Sequence, residues 1–562
     1  MSAGLEPPDG QGNDAAERSR ILLYHQASKH SSRGYAPSPG FLDWDSQPDP
    51  FRTFEQTRRI PLPLHRRVQA AGFHQLHRDA LPSLSFSAST IGLLCELAWG
   101  LSAWKAADGA RWALRCVPSS GNLHPTEAYL LLWGEAVGLP AGVYHYHPLD
   151  HALECRAELG EQQVQALRHA YPDHVGMAGL SSIGWREEWK YGSRAFRYCQ
   201  LDVGHAVGSL AYAARVCGWG AAVDPRLTDD DIEALLGLSD RDSYADRERE
   251  RPDVLIWLES RGQQALPPDL APLRAVTGTV TWQGRASQVG REMIVWPEVA
   301  LAESVTRKTV DVPVCWPEPR CLPVDPAPEH DCPADRLIRQ RRSAQRMDPA
   351  GTMHAADFRR LLGRVLPGVE RWSPLHALPF QPAIQLMFLV HGVEGFAPGA
   401  YLLDRGLPDW PQWSAGRPWQ AADPHLPLYG LPEAQDLRRL ASQMSCYQGI
   451  AGRGAVTVVM VADMAETLAR EGAWAYRRLH WEAGLLGQIL YLEAEASGLR
   501  GTGIGCFMDD DSVALSGLRG GADGRWQTVY HFTIGAAIDD PRLQSEPAYP
   551  VAVSLDGSAQ EG

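Results

Sequence analysis

The chain has 562 residues, 44% of them apolar, and carries 53 Lys and Arg against 67 Asp and Glu, a net charge of −14. This length predicts two large domains or three small ones. The acidic balance argues against a nucleic-acid binder held by phosphate contacts and against a polybasic membrane anchor, since both need a basic surface. The apolar stretch 383–390 falls far short of the ~20 residues a spanning helix needs.

Residues 1–20 are polar and acidic, lack the apolar run of a secretory signal, and read as a disordered tail. The ten cysteines contain no CxxC pair, and a chain this long needs no disulfide staple, so they read as thiols in a reducing cytoplasm. Cys315, Cys321 and Cys332 lie in a Pro-rich stretch with spacing poor for zinc, and no metal is expected.

In chain order, a first unit over 21–275 contains the turn-forming PSSGN run at 118–122, rich in hydroxyl and amide groups that suit the polar edge of a flat heterocycle. HPTEAYLLLWGEAVGLPAGVYHY at 124–146 predicts two strands joined by a turn. AFRYCQLDVGHAVGSLAYAARVCG at 195–218 predicts a helix with Phe196, Cys199, Val203, Val207, Leu210 and Ala214 on one face, closed by Gly218. Residues 276–330 are dense in proline, which fixes φ and removes amide donors. They read as an extended or β-like connector. A second unit over 331–548 opens with RQRRSAQRMD at 339–348, whose Arg341-Arg-Ser cluster suits a phosphate. Residues 549–562 read as a C-terminal tail.

The two units echo one another. AYRRLHWEAGLLGQILYLEAEASG at 475–498 matches 195–218 at a constant offset of 280, pairing Arg197 with Arg477, Asp202 with Glu482, Gly204 with Gly484 and Gly218 with Gly498. QPAIQLMFLVHGVEGFAPGAYLL at 381–403 matches 124–146 at an offset of 257. Two echoes in the same order predict duplication of one α+β fold. Gly204 and Gly208, one turn apart, predict close approach of the equivalent helix at Gly484 and Gly487, and hence a pseudo-two-fold dimer within the chain. The halves are unequal. Ser119, Ser120 and Asn122 correspond to His376, Ala377 and Pro379, and the first half has no RRS run; Arg58–Arg59 and Arg66–Arg67 are the candidates for its counterpart. Reciprocal loss of half-motifs predicts one phosphate-bearing planar cofactor at one seam.

PSSGNLHP, LPAGVYHY and WKYGSRAFRYCQLDVGHAVGSL together resemble the nitroreductase superfamily, and within it the SagB/ThcOx-type dehydrogenases in a fused tandem form. The resemblance implies two nitroreductase-like α+β domains with FMN between them. It assigns Pro118, Ser119, Ser120 and Asn122 to the flavin edge, and Arg341, Arg342 and Ser343 to the phosphate side. Gln345 stands where many relatives have a basic residue. Gly503, Ile504, Gly505 and Cys506 fall in the turn by the flavin ring, which here lacks the usual acidic residue. Arg542 is a candidate for the phosphate or for a C-terminal salt bridge. Lys190 and Tyr191 match a pair implicated in proton removal; burial is expected to lower the lysine, and a neighbouring cation the tyrosine. The implied activity is oxidation of an azoline to an azole in a peptide natural product. The implied partners are a peptide or small-molecule substrate and a cyclodehydratase-type enzyme. An NAD(P)H-fed nitro or quinone reductase and a flavin-poor scaffold subunit remain alternatives. The YHQASKH segment at 24–30 resembles a motif of tandem relatives, and its expected role is to cover the substrate channel or to pack on the degenerate site.

Overall fold

The computed structural model describes residues 9–65, 71–78, 80–244, 247–262, 266–291, 293–318, 320, 330–406, 417–431, 436–518 and 524–549. Each half is built on a seven-stranded antiparallel sheet. In the first, β1 (Arg59–Pro61), β2 (Thr126–Leu132), β3 (Gly142–His147), β4 (Ala152–Glu158), β5 (His174–Ser182), β6 (Gly220–Val223) and β7 (Arg251–Glu259) lie in the order β1-β4-β3-β2-β5-β7-β6. In the second, β8 (Ile384–Val390), β9 (Gly399–Leu403), β10 (Gln420–Ala421), β11 (Leu428–Gly430), β12 (Val456–Asp463), β13 (Arg500–Ile504) and β14 (Trp526–Gly535) lie in the order β10-β11-β9-β8-β12-β14-β13. Matched position by position, β3-β2-β5-β7-β6 and β9-β8-β12-β14-β13 run in the same order with β4 and β11 beside them, as duplication requires, and the halves differ at the edge strand: β1 precedes its hairpin in the chain and β10 follows its own. The 124–146 and 381–403 echoes are the hairpins β2–β3 and β8–β9.

The central strands read as unbroken apolar runs because both faces of each sheet are covered. Along β2, Ala128, Leu130 and Leu132 enter the core shared by the halves, while Tyr129 and Leu131 enter a separate outer core. Along β8, Leu386, Phe388 and Val390 face the shared core and Met387 and Leu389 face outward.

Among the helices that frame the seam between the halves or cross it are α1 (Asp9–Ala27), α2 (Gly184–Tyr191), α3 (Ala195–Val216), α4 (Pro297–Val305) and α5 (Ala475–Ala496). The helices α3 and α5 pack against each other at the centre, almost every residue buried. A Cβ built on Gly204 would lie 2.9 Å from Gly484 Cα, and one on Gly487 would lie 2.6 Å from His205 Cε1. The glycines are what allow this backbone approach. Gly218 and Gly498 close the two helices with φ of 70° and 71°, a conformation cheap only for glycine.

The structure departs from the sequence reading at the margins. Residues 1–8 and 550–562 of the expected tails lie outside the described residues, but from Asp9 the N-terminal tail is the first part of α1. Its buried residue Ile21 has the core to pack on, which composition alone did not reveal. The connector contains α4, not only extended chain: Pro297 sits in the first turn, where no amide donor is needed. The C-terminal segment Gln544–Glu546 crosses to the first half and pairs with Leu101–Ala107. Among the described residues, no helix is long and apolar enough to cross a membrane.

Candidate active site

A cavity of about 860 Å³ opens at the seam beside α3 and α5, within the ~300–1,000 Å³ usual for small-molecule sites. Pro118, Ser119, Ser120 and Asn122 line it from the first half. Arg341, Arg342, Ser343, Gln345, Gly503, Gly505 and Cys506 line it from the second. Residues more than 200 positions apart thus meet across one space.

One end is cationic. Arg341 is buried, donates to the Cys116 and Arg115 carbonyls at 3.2 Å each, and keeps Nη1 buried without a hydrogen-bond partner. Burial lowers its affinity for a proton, which is the mark of a desolvated cation lacking an anion. Lys105, Arg115, Arg342 and Arg500 line the same cavity. Burial pushes Arg115 and Arg342 each down to about 10, and burial with Arg342 and Arg500 lowers Lys105. Ser343 Oγ bonds Tyr491 Oη at 2.9 Å, and Tyr491 Oη accepts the Gly503 amide at 2.9 Å.

The other end is made of backbone, rings and a carboxylate. Asp202, on α3, accepts the Ser120 amide at 3.1 Å and its hydroxyl at 3.0 Å, pinning the Pro118–Asn122 loop. Burial raises Asp202 to about 7. Asn122 Nδ2 donates to the Ala113 carbonyl at 2.9 Å, so the side chain braces the loop. A side chain at Gly121, whose φ is 58°, would meet Tyr191 Oη at 2.5 Å and Lys190 Nζ at 3.1 Å. Both groups at the end of α2 therefore close on the loop that lines the cavity. Lys190 is half-buried, with Nζ 5.7 Å from the Trp44 ring centre, and burial lowers its pKa. The expectation for Tyr191 is reversed. Burial first, then Glu187, Tyr198 and Asp202, push its phenol well up.

Arg542 is not among the lining residues, although Asp540, Pro541 and Leu543 are: it pairs with Asp540 at 2.6 Å with its side chain 76% exposed, the salt-bridge alternative. Sequence reasoning missed the site positions of Lys105, Arg115, Tyr198, Asp202, His205, Tyr491, Arg500 and Tyr530. Asp202 was the legible one, a carboxylate on an otherwise apolar helix face. His205 is neutral, held by burial down to about 3, between Tyr530 Oη at 3.0 Å and Gln488 Oε1 at 3.3 Å.

The equivalent second seam is filled. Glu482, the counterpart of Asp202, is bound by Arg405 at 2.6 Å and by the Ala383 amide at 2.9 Å. The connector lies over the 375–379 loop through the Cys315 amide on the Pro379 carbonyl at 3.0 Å, and among the described residues a pocket of about 30 Å³ lies between Pro317, Phe380 and Arg405. Arg58 and Arg59 pair with Glu158, Asp150 and Glu154, on the edge of the first sheet, and Arg66–Arg67 lie outside the described residues.

The 24–30 segment clamps the halves together. Tyr24 Oη donates to the Ser193 carbonyl at 2.8 Å, His25 Nδ1 meets Tyr476 Oη at 3.0 Å, and the His30 amide donates to Asp509 at 2.9 Å. Asp509 in turn holds Arg194 at 2.9 Å and Arg197 at 2.6 Å, and its pKa falls despite burial because of those two cations.

The cavity fits FMN on its own terms. It has a desolvated cationic end with an unpartnered guanidinium nitrogen, polar groups from the Ser119–Asn122 loop, and glycines at 503 and 505 where a Cβ would strike Tyr530 and Tyr198.

The Nitroreductase family profile matches residues 93–245 and 420–536. A stretch of 133 residues is 29% identical to the trifolitoxin-processing protein TfxB of Rhizobium leguminosarum bv. trifolii, covering 22% of this chain and 35% of TfxB. Another of 130 residues is 27% identical to MJ1384 of Methanocaldococcus jannaschii, which carries a nitroreductase name, covering 22% of this chain and 65% of that protein. The chain thus spans about a third of the first relative and just under two-thirds of the second. The crystal structure of an Anabaena variabilis protein described as a nitroreductase superposes over 92% of this chain and 99% of its own, with a TM-score of 0.67 and 20% identity, a likeness of fold.

Proposed function

Both halves of this chain are nitroreductase-family domains, and from that premise we propose that it is an FMN-dependent dehydrogenase of the SagB/ThcOx type, oxidising an azoline to an azole in a peptide. The single observation that carries the reading is the convergence of Lys190 Nζ and Tyr191 Oη on Gly121, at the loop lining the inter-half cavity. Bound FMN supplies the two-electron acceptor that azoline oxidation requires.

The chain's own residues supply the rest. Arg341, with Arg342, Lys105 and Arg500, holds the phosphate. Asp202 keeps the Ser120 loop in place. Lys190 takes the proton from the substrate ring: its lowered pKa puts more neutral amine at working pH than a free lysine would have. Tyr191, kept protonated by its raised pKa, donates a hydrogen bond to the substrate heteroatom and positions the ring. The name of TfxB, a trifolitoxin-processing protein, supports a natural-product substrate, which we take to be a peptide, and a biosynthetic partner such as a cyclodehydratase.

The test is anaerobic mixing of the yellow protein with an azoline peptide. Rapid bleaching is expected, with slower bleaching by NADPH. Lys190→Ala and Tyr191→Phe should keep their colour and lose about 100-fold or more in bleaching rate. Faster bleaching by NADPH than by the peptide favours the reductase, and a purified protein unable to take up FMN favours the scaffold.

A further inference from the structure

His30, Cys446 and Cys506 come from three separate segments, and their reactive atoms all lie within 4.8 Å of one another, with Cys506 lining the cavity. Cys506 follows the glycine turn of β13, and Cys446 sits in the loop that faces it. Gln448 Nε2 ties the two segments by donating to the Cys506 carbonyl at 3.2 Å. Cys446 and Tyr447 have φ of 53° and 59°, two successive non-glycine residues in the left-handed region, a strained arrangement that persists only where the surroundings enforce it. None of this serves proton transfer by Lys190.

The ring of His30 decides between two chemistries. Its Nδ1 accepts the Ala36 amide at 2.8 Å, so a neutral ring carries its proton on Nε2 and offers the sulfurs a donor, not a lone pair. A metal ligand would need that lone pair; a thiolate needs the donor. Arg194, whose Nη2 donates to the Gly505 carbonyl at 2.8 Å, adds positive charge, partly offset by Asp509. Tyr35, Tyr191 and Tyr198 also face Cys506, and Tyr447 adjoins Cys446. The hydrogen bond from the Cys446 thiol, then His30 and Arg194, hold Cys506 well below an ordinary thiol, while the same bond raises Cys446.

We propose that Cys506 and Cys446 are a redox-active dithiol at the cavity mouth, with Cys506 the attacking thiolate, Cys446 the resolving thiol, and a small disulfide of the glutathione class the oxidant. The Cys506 thiolate attacks one sulfur of the small disulfide. One S–S bond breaks, one thiolate leaves, and a mixed disulfide forms. Cys446 loses its proton to solvent and attacks Cys506 sulfur, expelling the second thiolate. Two electrons pass from the two protein sulfurs to the small disulfide, which leaves as two thiols. The product covalently ties the 445–448 loop to the turn that lines the cavity.

Full-length protein, reduced and then treated with oxidised glutathione, is read by intact and peptide mass spectrometry. The expected result is loss of two hydrogens, no retained glutathione, and a linked peptide pair containing Cys446 and Cys506. Cys446→Ser should retain one glutathione on Cys506. The half-rate pH for alkylation of Cys506 should lie at least about one unit below the ~8.5 of a free cysteine, and His30→Gln should move it upward. If His30→Gln does not fold, the wild-type profile and Cys446→Ser still decide. An ordinary alkylation profile, glutathione stably retained on the wild type, or stoichiometric zinc released by Cys446→Ser would each overturn the proposal.

Discussion

The two seams of this molecule began as copies and now differ completely. At one, Asp202 binds only the Ser120 loop and Arg341 keeps a free nitrogen, leaving a cavity of about 860 Å³. At the other, Glu482 is neutralised by Arg405, the loop is covered by the connector, and among the described residues the pocket there is about 30 Å³. A site shared between two chains must serve both copies. Fusion removes that demand, so one seam can spend its polar groups on internal pairs and become a structural joint. The Arg405–Glu482 pair gives the closed seam a cation for its carboxylate, where Asp202 at the open seam has only the Ser120 loop.

The largest break in this comparison should come at the axis both seams share. Gly204→Val places side-chain atoms inside the backbone of α5 and should cost several kcal/mol, about 3 or more, read as loss of soluble folded protein or a large fall in the urea midpoint. Next is Arg341→Ala at the open seam. FMN affinity should fall about 100-fold, roughly 2.8 kcal/mol, by flavin fluorescence titration, with little change in the melting temperature of the flavin-free protein.

Asp202→Asn sharpens the contrast through pH. The folded carboxyl is raised to about 7 from the ordinary value near 3.8. The folded state therefore binds the proton more tightly than the unfolded one. Wild-type stability is present below the unfolded pKa and is lost as pH rises toward 7. The asparagine variant escapes that loss, so its advantage in the flavin-free protein should grow between pH 5 and pH 8, on the order of 2 kcal/mol. A pH-independent difference would show that Asp202 is not a desolvated carboxyl. The smallest effect on flavin is expected at the closed seam. Arg405→Met with Glu482→Gln replaces the buried pair together. The Val365 and Ile384 carbonyls then lose their Arg405 donor, so stability should fall by about 1–3 kcal/mol, while the effect on flavin is nil: one FMN per chain by absorbance against protein concentration. Two FMN per chain would mean that the pair alone keeps the second site shut.

Much of the site was legible in the sequence, because the signals were local and reciprocal. The PSSGN loop and the RRS run are turn and cation motifs whose chemistry is carried by residues adjacent in sequence. Their absence from the opposite half was as informative as their presence. Arg500, Tyr491, His205 and Tyr530 were not legible: each is one polar residue in an apolar or mixed element, and only the crossing of α3 and α5 turns them toward a common space. The hydrogen bonds of the His30 backbone to Asp509 bring His30 to Cys446 and Cys506, three positions that no spacing rule connects. From Asp9 onward the tail expected over 1–20 gave way to helix for a related reason, since α1 gains its helix by packing on surfaces from elsewhere in the chain.

The amino-acid sequence by itself determined the duplicated α+β fold, the axis glycines and the unequal halves, because periodicity, caps and repeats are encoded by neighbours along the chain. Which seam stayed open, which cation was left unpaired and where the phenol of Tyr191 titrates were decided only by tertiary structure. Those properties depend on desolvation and on partners hundreds of residues away.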